Sequence, residues 1–295
     1  MVDIDDMLAH CAICPRECGA DRRVSTGYCG ASADVVVNIS ILHHWEEPVL
    51  SGDRGSGTIF FSHCALRCVY CQNHRISHEG RGNPRTIDEL CDMMLDLEKR
   101  GAHNVNLVTA SHYTPQAAAA IRLAREAGLR IPVVWNSSAY EKPSTLRLLE
   151  GLVDIYLPDF RYWNPHNAAR FSNAADYPAV AQSAIQEMYR QVGSLIVRDG
   201  MAVRGLLIRI LVLPGMAEEA GSILAWIRRA IGRSAWVSLM GQYYPAYRAA
   251  EFPEINRGVS AEEYERCLGY LADLGLENGF TQEVGSCDNY TPSFV

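Results

Sequence analysis

Residues 57–77 read GTIFFSHCALRCVYCQNHRIS, in which an apolar run leads directly into three cysteines. The run GTIFF is short and continuous, which is typical of a β-strand buried on both faces. The pattern that follows at 86–101 places Ile87, Leu90 and Met94 on one face of a helix. This part of the chain therefore predicts one strand–loop–helix unit, with the cysteines in the loop after the strand.

The same alternation of an apolar run and a helical pattern repeats along the chain. The five further runs are NVNLVTA (104–110), IPVVWN (131–136), VDIYLPDF (153–160), GLLIRILVLPG (205–215) and WVSLMGQYYP (236–245). Successive strand–helix–strand units imply a parallel sheet with right-handed crossovers. Six units predict an α/β fold, a partial (β/α)6 TIM-like barrel. A doubly wound sheet is the alternative, but no Gly-x-Gly-x-x-Gly follows the first run.

Residues 1–50 are predicted to form a small cysteine-rich N-terminal extension, and residues 51–295 the barrel core. The extension contains HCAICPRECGADRRVSTGYCG and then, at 34–45, DVVVNISILHHW. The β-branched residues of the second stretch suit a strand. A glycine-rich link, GDRGSG at 52–57, follows the extension.

The ten cysteines are unevenly distributed, since seven lie in the first 71 residues. A secreted disulfide scaffold would be shorter and would begin with a signal peptide. The N-terminus, MVDIDDMLAHC, is acidic and polar, and no stretch approaches the roughly 18–20 apolar residues of a membrane helix. We therefore expect a soluble cytoplasmic protein that binds metal through cysteine and has no membrane partner.

The charge balance disfavours nucleic acid as a partner. The 34 acidic residues outnumber the 27 basic ones, which gives a formal net charge of −7. Proteins that bind nucleic acid need basic side chains to neutralise phosphates. No nucleic-acid partner is expected.

The three cysteines after the first run are Cys64, Cys68 and Cys71. Thiolates bind soft centres such as iron–sulfur clusters and zinc, and a four-iron cluster normally takes four of them. Three thiolates would leave one iron open, and an open metal position marks a catalytic site. The alternatives are a redox pair formed by Cys68 and Cys71, a zinc site completed by His74, and cysteines that only fill the core.

With Tyr70 directly before the last cysteine, the motif resembles that of the radical S-adenosylmethionine (SAM) superfamily. The resemblance implies that Cys64, Cys68 and Cys71 bind a [4Fe-4S] cluster and that Tyr70 packs near the adenine of SAM. In that family the open iron binds the amino and carboxylate groups of SAM. An electron from the reduced cluster cleaves the sulfonium, and the resulting 5′-deoxyadenosyl radical abstracts hydrogen from a substrate.

Sequence blocks over nearly the whole chain resemble the pyruvate formate-lyase activating enzyme-like branch. These blocks are HHWEEPVLSG, CVYCQNHRIS, VDIYLPDFRYW, LVLPG and SLMGQYYP. The resemblance implies an activase that abstracts hydrogen from a glycine of a partner protein, with a flavodoxin or ferredoxin as electron donor. The alternatives are a radical SAM enzyme that modifies a small molecule or peptide, and a metal-binding sensor module without turnover.

The resemblance also implies positions around SAM. The superfamily often has Gly-Gly-Glu after the second strand, and this chain has VTASHYTP there. Ser111 or His112 is expected to replace the missing acid at the amino group of SAM. The alternative is that Ser111 or Thr114 caps the following helix.

Further cofactor positions lie at the ends of the third and fourth strands and inside the fifth. Asn136, Ser137 and Asp159 resemble residues that hold a monovalent cation beside the carboxylate of SAM, although activating enzymes have an acid where this chain has Asn136. Asp159 alternatively caps a turn. Arg209 lies inside the apolar run LLIRILV, where a buried charge needs a partner. That partner is either the SAM carboxylate or an internal acid.

Two stretches supply candidates for contact with substrate. His43, His44 and Glu46 of HHWEEP either line the entrance of the site or form a solvated turn with a packed Trp45. The candidates at the end of the sixth strand are Gln242 and Tyr243. They either contact substrate or only pack in the core.

Four thiols lie close together near the N-terminus: Cys11, Cys14, Cys18 and Cys29. Four ligands complete a closed site, which predicts either structural zinc or a fully ligated auxiliary four-iron cluster. The alternative is a loop of reduced thiols. Cys91 and Cys267 fall on helix patterns and are expected in the core, and Cys287 belongs to neither group.

Overall fold

The computed structural model describes residues 3–282 and Phe294, so Cys287 lies outside the described residues. Ten strands are present in this part of the chain: β1 Val35–His43, β2 Ser56–Phe61, β3 Asn83–Arg85, β4 Val105–Val108, β5 Val133–Ser137, β6 Ile155–Pro158, β7 Ile196–Arg198, β8 Met201–Leu211, β9 Trp236–Met240 and β10 Asn278–Thr281. The α-helices are α1 Ile4–Ala9, α2 Pro48–Ser51, α3 His74–Ser77, α4 Ile87–Lys99, α5 Thr114–Glu126, α6 Pro143–Leu146, α7 Pro165–Ser172, α8 Tyr177–Val192, α9 Ala217–Ala230 and α10 Ala261–Asp273. None of these helices is long and apolar enough to cross a membrane.

The strands form one sheet in the order β10-β9-β8-β6-β5-β4-β2-β1-β3, with β7 paired to β8. The seven strands from β10 to β2 run parallel, and β1 pairs antiparallel with β2. The sheet has two different edge strands and is open rather than closed. The predicted partial TIM-like α/β fold is therefore confirmed.

The central strands are buried on both faces, as their continuous apolar runs predict. Every residue of β2, β4, β5 and β6 is buried. Two of the covering helices begin with a capping box, in which Thr86 pairs with Glu89 before α4 and Ser260 pairs with Glu263 before α10. Each box satisfies backbone N–H groups that the first helical turn leaves free.

Besides short elements such as β3 and β7, which the sequence did not predict, the structure differs from the predicted elements at β10, α6 and α7. β10 adds a seventh parallel strand; its sequence, NGFT, has no apolar run because it is a half-exposed edge strand. The helix predicted at 142–151 is one turn, α6, followed by a 3-10 turn at Arg147–Leu149. This segment lies between Pro143 and Gly151, and 3-10 turns are common at helix ends. The unpredicted α7 has clear end signals, since Asn164 caps its start and Asn173 is left-handed at its end.

The N-terminal extension packs directly on the core. β1 joins the main sheet through β2, and Cys14 and Cys29 belong to the same buried cluster as the core strands. Thr145 Oγ1 donates to the carbonyl of Ile13 at 2.7 Å. The boundary after residue 50 falls within α2 and stays a prediction.

Candidate active site

A cavity of about 470 Å³ lies at the carboxyl ends of the parallel strands. The strands bring their ends to one edge of the sheet, where side chains distant in sequence meet. The predicted site residues that line the cavity are His43, His44, Glu46, Tyr70, Cys71, Asn136, Ser137, Asp159, Arg209, Gln242 and Tyr243. Cys64, Cys68 and Ser111 are not among the described lining residues.

The cysteine loop, residues 62–73, follows β2 and has an unusual backbone. His63 and Arg67 have φ values of 72° and 59°, in the left-handed region that non-glycine residues rarely adopt. The N–H of Val69 donates to the carbonyl of Phe171 at 2.8 Å, which ties the loop to α7. The loop conformation is thus supported by contacts outside the loop.

The thiols of the cysteine loop are buried or partly buried, and they are hydrogen-bonded. Cys68 Sγ accepts from Arg161 Nη1 at 3.4 Å and from Ser172 Oγ at 3.1 Å. Cys71 Sγ lies 3.1 Å from Ser77 Oγ, and burial raises the pKa of Cys71 to about 12. A buried thiol loses its proton readily only when a positive charge such as a metal compensates for burial.

These residues fit an iron–sulfur cluster. Within residues 3–282 and Phe294, no three Cys, His, Asp or Glu side chains converge on a single ion. A four-iron cluster does not require such convergence, because each thiolate binds its own iron. Arg161 also donates to Asp159 Oδ2 at 2.7 Å, and its buried Nε has no hydrogen-bond partner among the described residues. A guanidinium with a free donor at the cavity suits an anionic ligand.

The ends of β4, β5 and β6 are held in register at the cavity. The N–H of Thr109 donates to the Asn136 carbonyl at 2.9 Å, and the N–H of Asp159 donates to the Ser137 carbonyl at 2.8 Å. The Ser137 hydroxyl donates to Glu141, so it is directed to an internal acid. Asn136 and Asp159 therefore bring side-chain oxygens to neighbouring strand ends.

Glu141 is a buried acid that also binds Ser111. Burial raises the pKa of Glu141, although Ser137, Trp135 and Ser111 donate hydrogen bonds to it. The Trp135 Nε1 bond is 2.7 Å long. Ser111 thus contacts Glu141, and a role for Ser111 at SAM stays a prediction.

His112 is buried, and the start of α5 lacks the side-chain cap that was the alternative role of Ser111 or Thr114. The Nε2 of His112 lies 2.9 Å from the Ser62 carbonyl, and burial lowers the pKa of His112 to about 3. No side-chain hydrogen bond caps α5, so the alternative that Ser111 or Thr114 caps this helix is wrong. Thr114 Oγ1 instead donates to the carbonyl of Ser111 at 2.7 Å.

Arg209 forms a buried ion cluster with Glu46 and Glu47. Its Nε donates to Glu47 Oε1 at 2.8 Å, and its Nη2 donates to Glu47 Oε2 at 2.6 Å and to Glu46. Burial alone would raise the pKa of Glu47, but the charge and hydrogen bonds of Arg209 outweigh burial and lower it. Of the two predicted partners for Arg209, the structure shows the internal acid.

The HHWEEP turn, residues 43–48, lines the cavity. The sequence alone did not show whether these residues face the site or solvent. His43 and Glu47 are buried, and burial lowers the pKa of His43. Trp45 is 54% exposed. The packed Trp45 of the alternative is therefore wrong, whereas part of the turn is exposed to solvent, at His44, Trp45 and Pro48. Contact between His43, His44 or Glu46 and a substrate stays a prediction.

Aromatic rings form one wall of the cavity. The Tyr70 hydroxyl accepts from the Tyr162 hydroxyl at 2.7 Å, and the ring of Tyr70 meets Tyr243 edge-on with centroids 5.7 Å apart. Gln242 Oε1 accepts from Gln282 Nε2 at 2.9 Å. The Tyr243 hydroxyl is bonded to a carbonyl in the core, so its ring rather than its hydroxyl is available to a ligand.

Comparison with known proteins decides the family. Residues 58–225, more than half of the chain, match the family model of the Radical SAM superfamily. The chain belongs to the radical SAM superfamily. Membership implies a [4Fe-4S] cluster, SAM, an electron donor and a substrate.

Individual relatives agree with this membership. An uncharacterized protein of Methanocaldococcus jannaschii is 30% identical over 283 residues, which cover 92% of this chain and 77% of the relative. Streptococcus suis SuiB, solved with its precursor peptide SuiA, is 11% identical with a TM-score of 0.51, over 75% of this chain and 46% of that chain. This radical SAM chain spans about half the length of SuiB. At this identity the likeness concerns the fold alone.

A domain of a pyruvate-formate lyase-activating enzyme from Bacteroides vulgatus is also similar. It is 12% identical, and the match covers 58% of this chain and 92% of that domain. The TM-score of 0.43 is too low to support a functional conclusion.

Thr109 directly follows β4 and has a backbone conformation that suits glycine. The φ of Thr109 is 63°, a strained conformation for a β-branched residue. We expect Thr109→Gly to raise the free energy of unfolding by about 0.5–1 kcal/mol, because relief of strain exceeds the entropy that glycine costs. Urea unfolding measures this change.

Asn173 provides the matched control for this prediction. It is left-handed as well, with a φ of 49°, but asparagine tolerates this region. Asn173→Gly is therefore expected to gain less than Thr109→Gly. A loss of stability in Thr109→Gly would contradict the strain that we assign to this loop.

Sequence patterns do not identify three residues that the structure places at or beside the site. Arg161 and Glu141 each follow a predicted strand, and the only available signal is a charged residue beside an apolar run. Gln282 follows β10, whose run is too polar to be recognised as a strand. All three can be assigned to the site once the structure shows that the strand ends lie at one edge of the sheet.

Proposed function

We propose that the protein is a cytoplasmic radical SAM activase, in which Cys64, Cys68 and Cys71 bind the [4Fe-4S] cluster and the substrate is a glycine of a partner protein. The main support is that the cysteine loop adjoins a cavity into which Cys71 and the ends of the parallel strands project. When bound, the cluster and SAM supply a one-electron cleavage that gives methionine and a 5′-deoxyadenosyl radical. With an electron from an external donor, this chemistry would remove one hydrogen atom from the substrate and leave 5′-deoxyadenosine as a product.

The chain's own residues would orient SAM and balance charge. Arg161, between Cys68 and Asp159, offers positive charge to the cluster thiolate and to the carboxylate of SAM. Asn136 and Asp159 present oxygens that suit a monovalent cation beside that carboxylate. The buried ring of Tyr70 provides an apolar surface for adenine.

The size of the cavity favours a substrate that inserts a small group. A volume of about 470 Å³ suits one ligand of the size of SAM and leaves little room for a second large molecule. A glycine in an extended segment of a partner has no side chain and needs the least space. Exposed His44 and Trp45 at the cavity are placed to contact such a segment.

The experiment uses anaerobically reconstituted, reduced protein with SAM and candidate glycyl-radical enzymes whose glycine is deuterated at Cα. We expect 5′-deoxyadenosine that carries deuterium and an organic radical visible by electron paramagnetic resonance. A partner with alanine at the target glycine is the matched control and should give neither signal. Absence of 5′-deoxyadenosine from intact, reconstituted protein would exclude both enzyme functions and leave the sensor module.

A small molecule or peptide is the second candidate substrate. Polar groups in the cavity favour it, since the amides of Gln242 and Gln282 and the ring of His43 exceed what a glycine requires. In that case, 5′-deoxyadenosine forms without a radical or deuterium transfer from any glycyl-radical enzyme. Labelled small molecules and peptides would then identify the source of the hydrogen.

A further inference from the structure

The four N-terminal cysteines lie near one another, and Cys14 is close enough to interact electrostatically with Cys29, Cys11 and Cys18. A Cβ on Gly27 would lie 3.4 Å from Cys18 Sγ and 3.5 Å from Cys29 Sγ, so these two thiols flank the same glycine. The Cys18 thiol is hydrogen-bonded with Cys11. The chain turns back on itself here, because the N–H of Gly19 donates to the Cys11 carbonyl at 3.0 Å. Thiols gathered in this way are typical of a soft metal centre.

Arg22 supplies an independent observation that points to an anion at this place. Its side chain is 1% exposed and donates to the Ser32 carbonyl at 2.7 and 3.1 Å, to the His112 carbonyl at 2.6 Å and to Cys11 Sγ at 3.9 Å. Within the described residues no carboxylate forms an ion pair with it. Burial of a cation without a counter-charge is costly. Metal-bound thiolates carry the negative charge that Arg22 lacks.

The same segment is connected to the active-site loop. Arg22 binds the carbonyl of His112, whose Nε2 lies 2.9 Å from the Ser62 carbonyl at the start of the cysteine loop. Arg16, between Cys14 and Cys18, donates from Nε to the Ala65 carbonyl at 3.0 Å. Ala65 lies inside the cysteine loop. The extension therefore contacts this loop directly through Arg16, and Arg22 is connected to it only by way of His112.

We infer that Cys11, Cys14, Cys18 and Cys29 form a second, closed metal centre, whose thiolates neutralise the buried Arg22 and hold it against the carbonyl of His112, beside the loop that carries the active-site cysteines. The metal is bound by four thiolates and has no open position, so it does not bind SAM. Within the described residues no three such thiols converge on a single ion, which favours a four-iron cluster, in which each thiolate binds its own iron, over a single zinc. The metal content separates the two. This centre does not depend on the proposed substrate.

The test is quantification of iron, sulfide and zinc in anaerobically purified full-length protein. We expect the Cys11→Ala/Cys14→Ala variant to lose either about one zinc or about four irons with their sulfide, relative to wild type. Cys91→Ala is the matched control, because Cys91 is a buried cysteine on α4 outside both groups. It should keep the full metal content.

A second variant, Cys18→Ser, separates loss of metal from a failure of the double alanine variant to fold. Cys18 is exposed, so Cys18→Ser removes a ligand without opening a cavity in the core. We expect this variant to remain folded by circular dichroism and to lose the same metal to a chelator at least ~10-fold faster than wild type. Equal metal content in wild type and the double variant, together with equal rates of loss to the chelator in wild type and Cys18→Ser, would overturn the inference. The active-site cluster is assessed separately, through 5′-deoxyadenosine formation.

Discussion

Replacement of Cys68 with alanine is expected to abolish SAM cleavage. Each thiolate of a four-iron cluster binds its own iron, and alanine offers no ligand atom. Cys68 Sγ is also the atom that Arg161 and Ser172 contact, at 3.4 and 3.1 Å. Under anaerobic reduction with dithionite, 5′-deoxyadenosine should fall to the level without enzyme, and the iron content should fall with it.

Cys91→Ala is again the appropriate control, since it removes a buried thiol from α4. Its SAM cleavage should equal that of wild type. If Cys68→Ala kept both its iron and its activity, the assignment of the cluster to Cys64, Cys68 and Cys71 would be wrong. Loss of activity with full iron content would instead indicate a role other than ligation.

The second large effect is expected at the buried ion cluster. Arg209→Met leaves Glu46 and Glu47 buried without their cation, and loss of one partner of a buried pair typically costs about 3–5 kcal/mol. We expect the free energy of unfolding, measured with urea, to fall by that amount. Arg248→Met is the control, because its pair with Glu251 is half exposed and water screens such a pair, so its loss should cost far less.

The triple variant Glu46→Gln/Glu47→Gln/Arg209→Met separates charge from shape. Without buried charges, it should recover most of the stability that Arg209→Met loses. A cost in Arg209→Met no greater than in Arg248→Met would show that the cluster does not stabilise the fold.

The effect of Arg209→Met should also depend on pH. Arg209 lowers the pKa of Glu47 below its ordinary value of 4.5, despite burial. The stabilisation by this pair is therefore present above that value and is lost as pH falls through the lower pKa of the folded state. Acid also neutralises the unpaired carboxylates of the variant. The difference between wild type and variant should shrink as pH falls below 4.5.

Much of the fold follows from local pattern. The six continuous apolar runs become the parallel strands β2, β4, β5, β6, β8 and β9, because a strand buried on both faces must be apolar throughout. β10 escapes this rule, since an edge strand is half exposed and its sequence carries no such run. The short helix α6 shows a similar limit, because its length depends on the turns at its ends.

The cysteine triad is the part of the site that the sequence by itself determined. Cys64, Cys68 and Cys71 lie within eight residues, so their spacing alone brings three ligands onto one loop. The open sheet and the direction of its strands also follow from sequence, through the order of apolar runs and helices. Local chemistry and periodicity are sufficient for both.

Only the tertiary structure decided how the charges pair. The sequence shows that Arg209 inside a strand needs a partner, but it does not show that Glu46 and Glu47, more than 160 residues earlier, provide it. Likewise, contact between Arg161 and Cys68 joins residues 93 positions apart. Such pairs form because parallel strands and the turn after β1 deliver distant side chains to one edge of the sheet. The physical reason is that a buried charge is paired with whichever opposite charge lies beside it in the folded chain. Local sequence patterns do not show which distant residues will lie side by side.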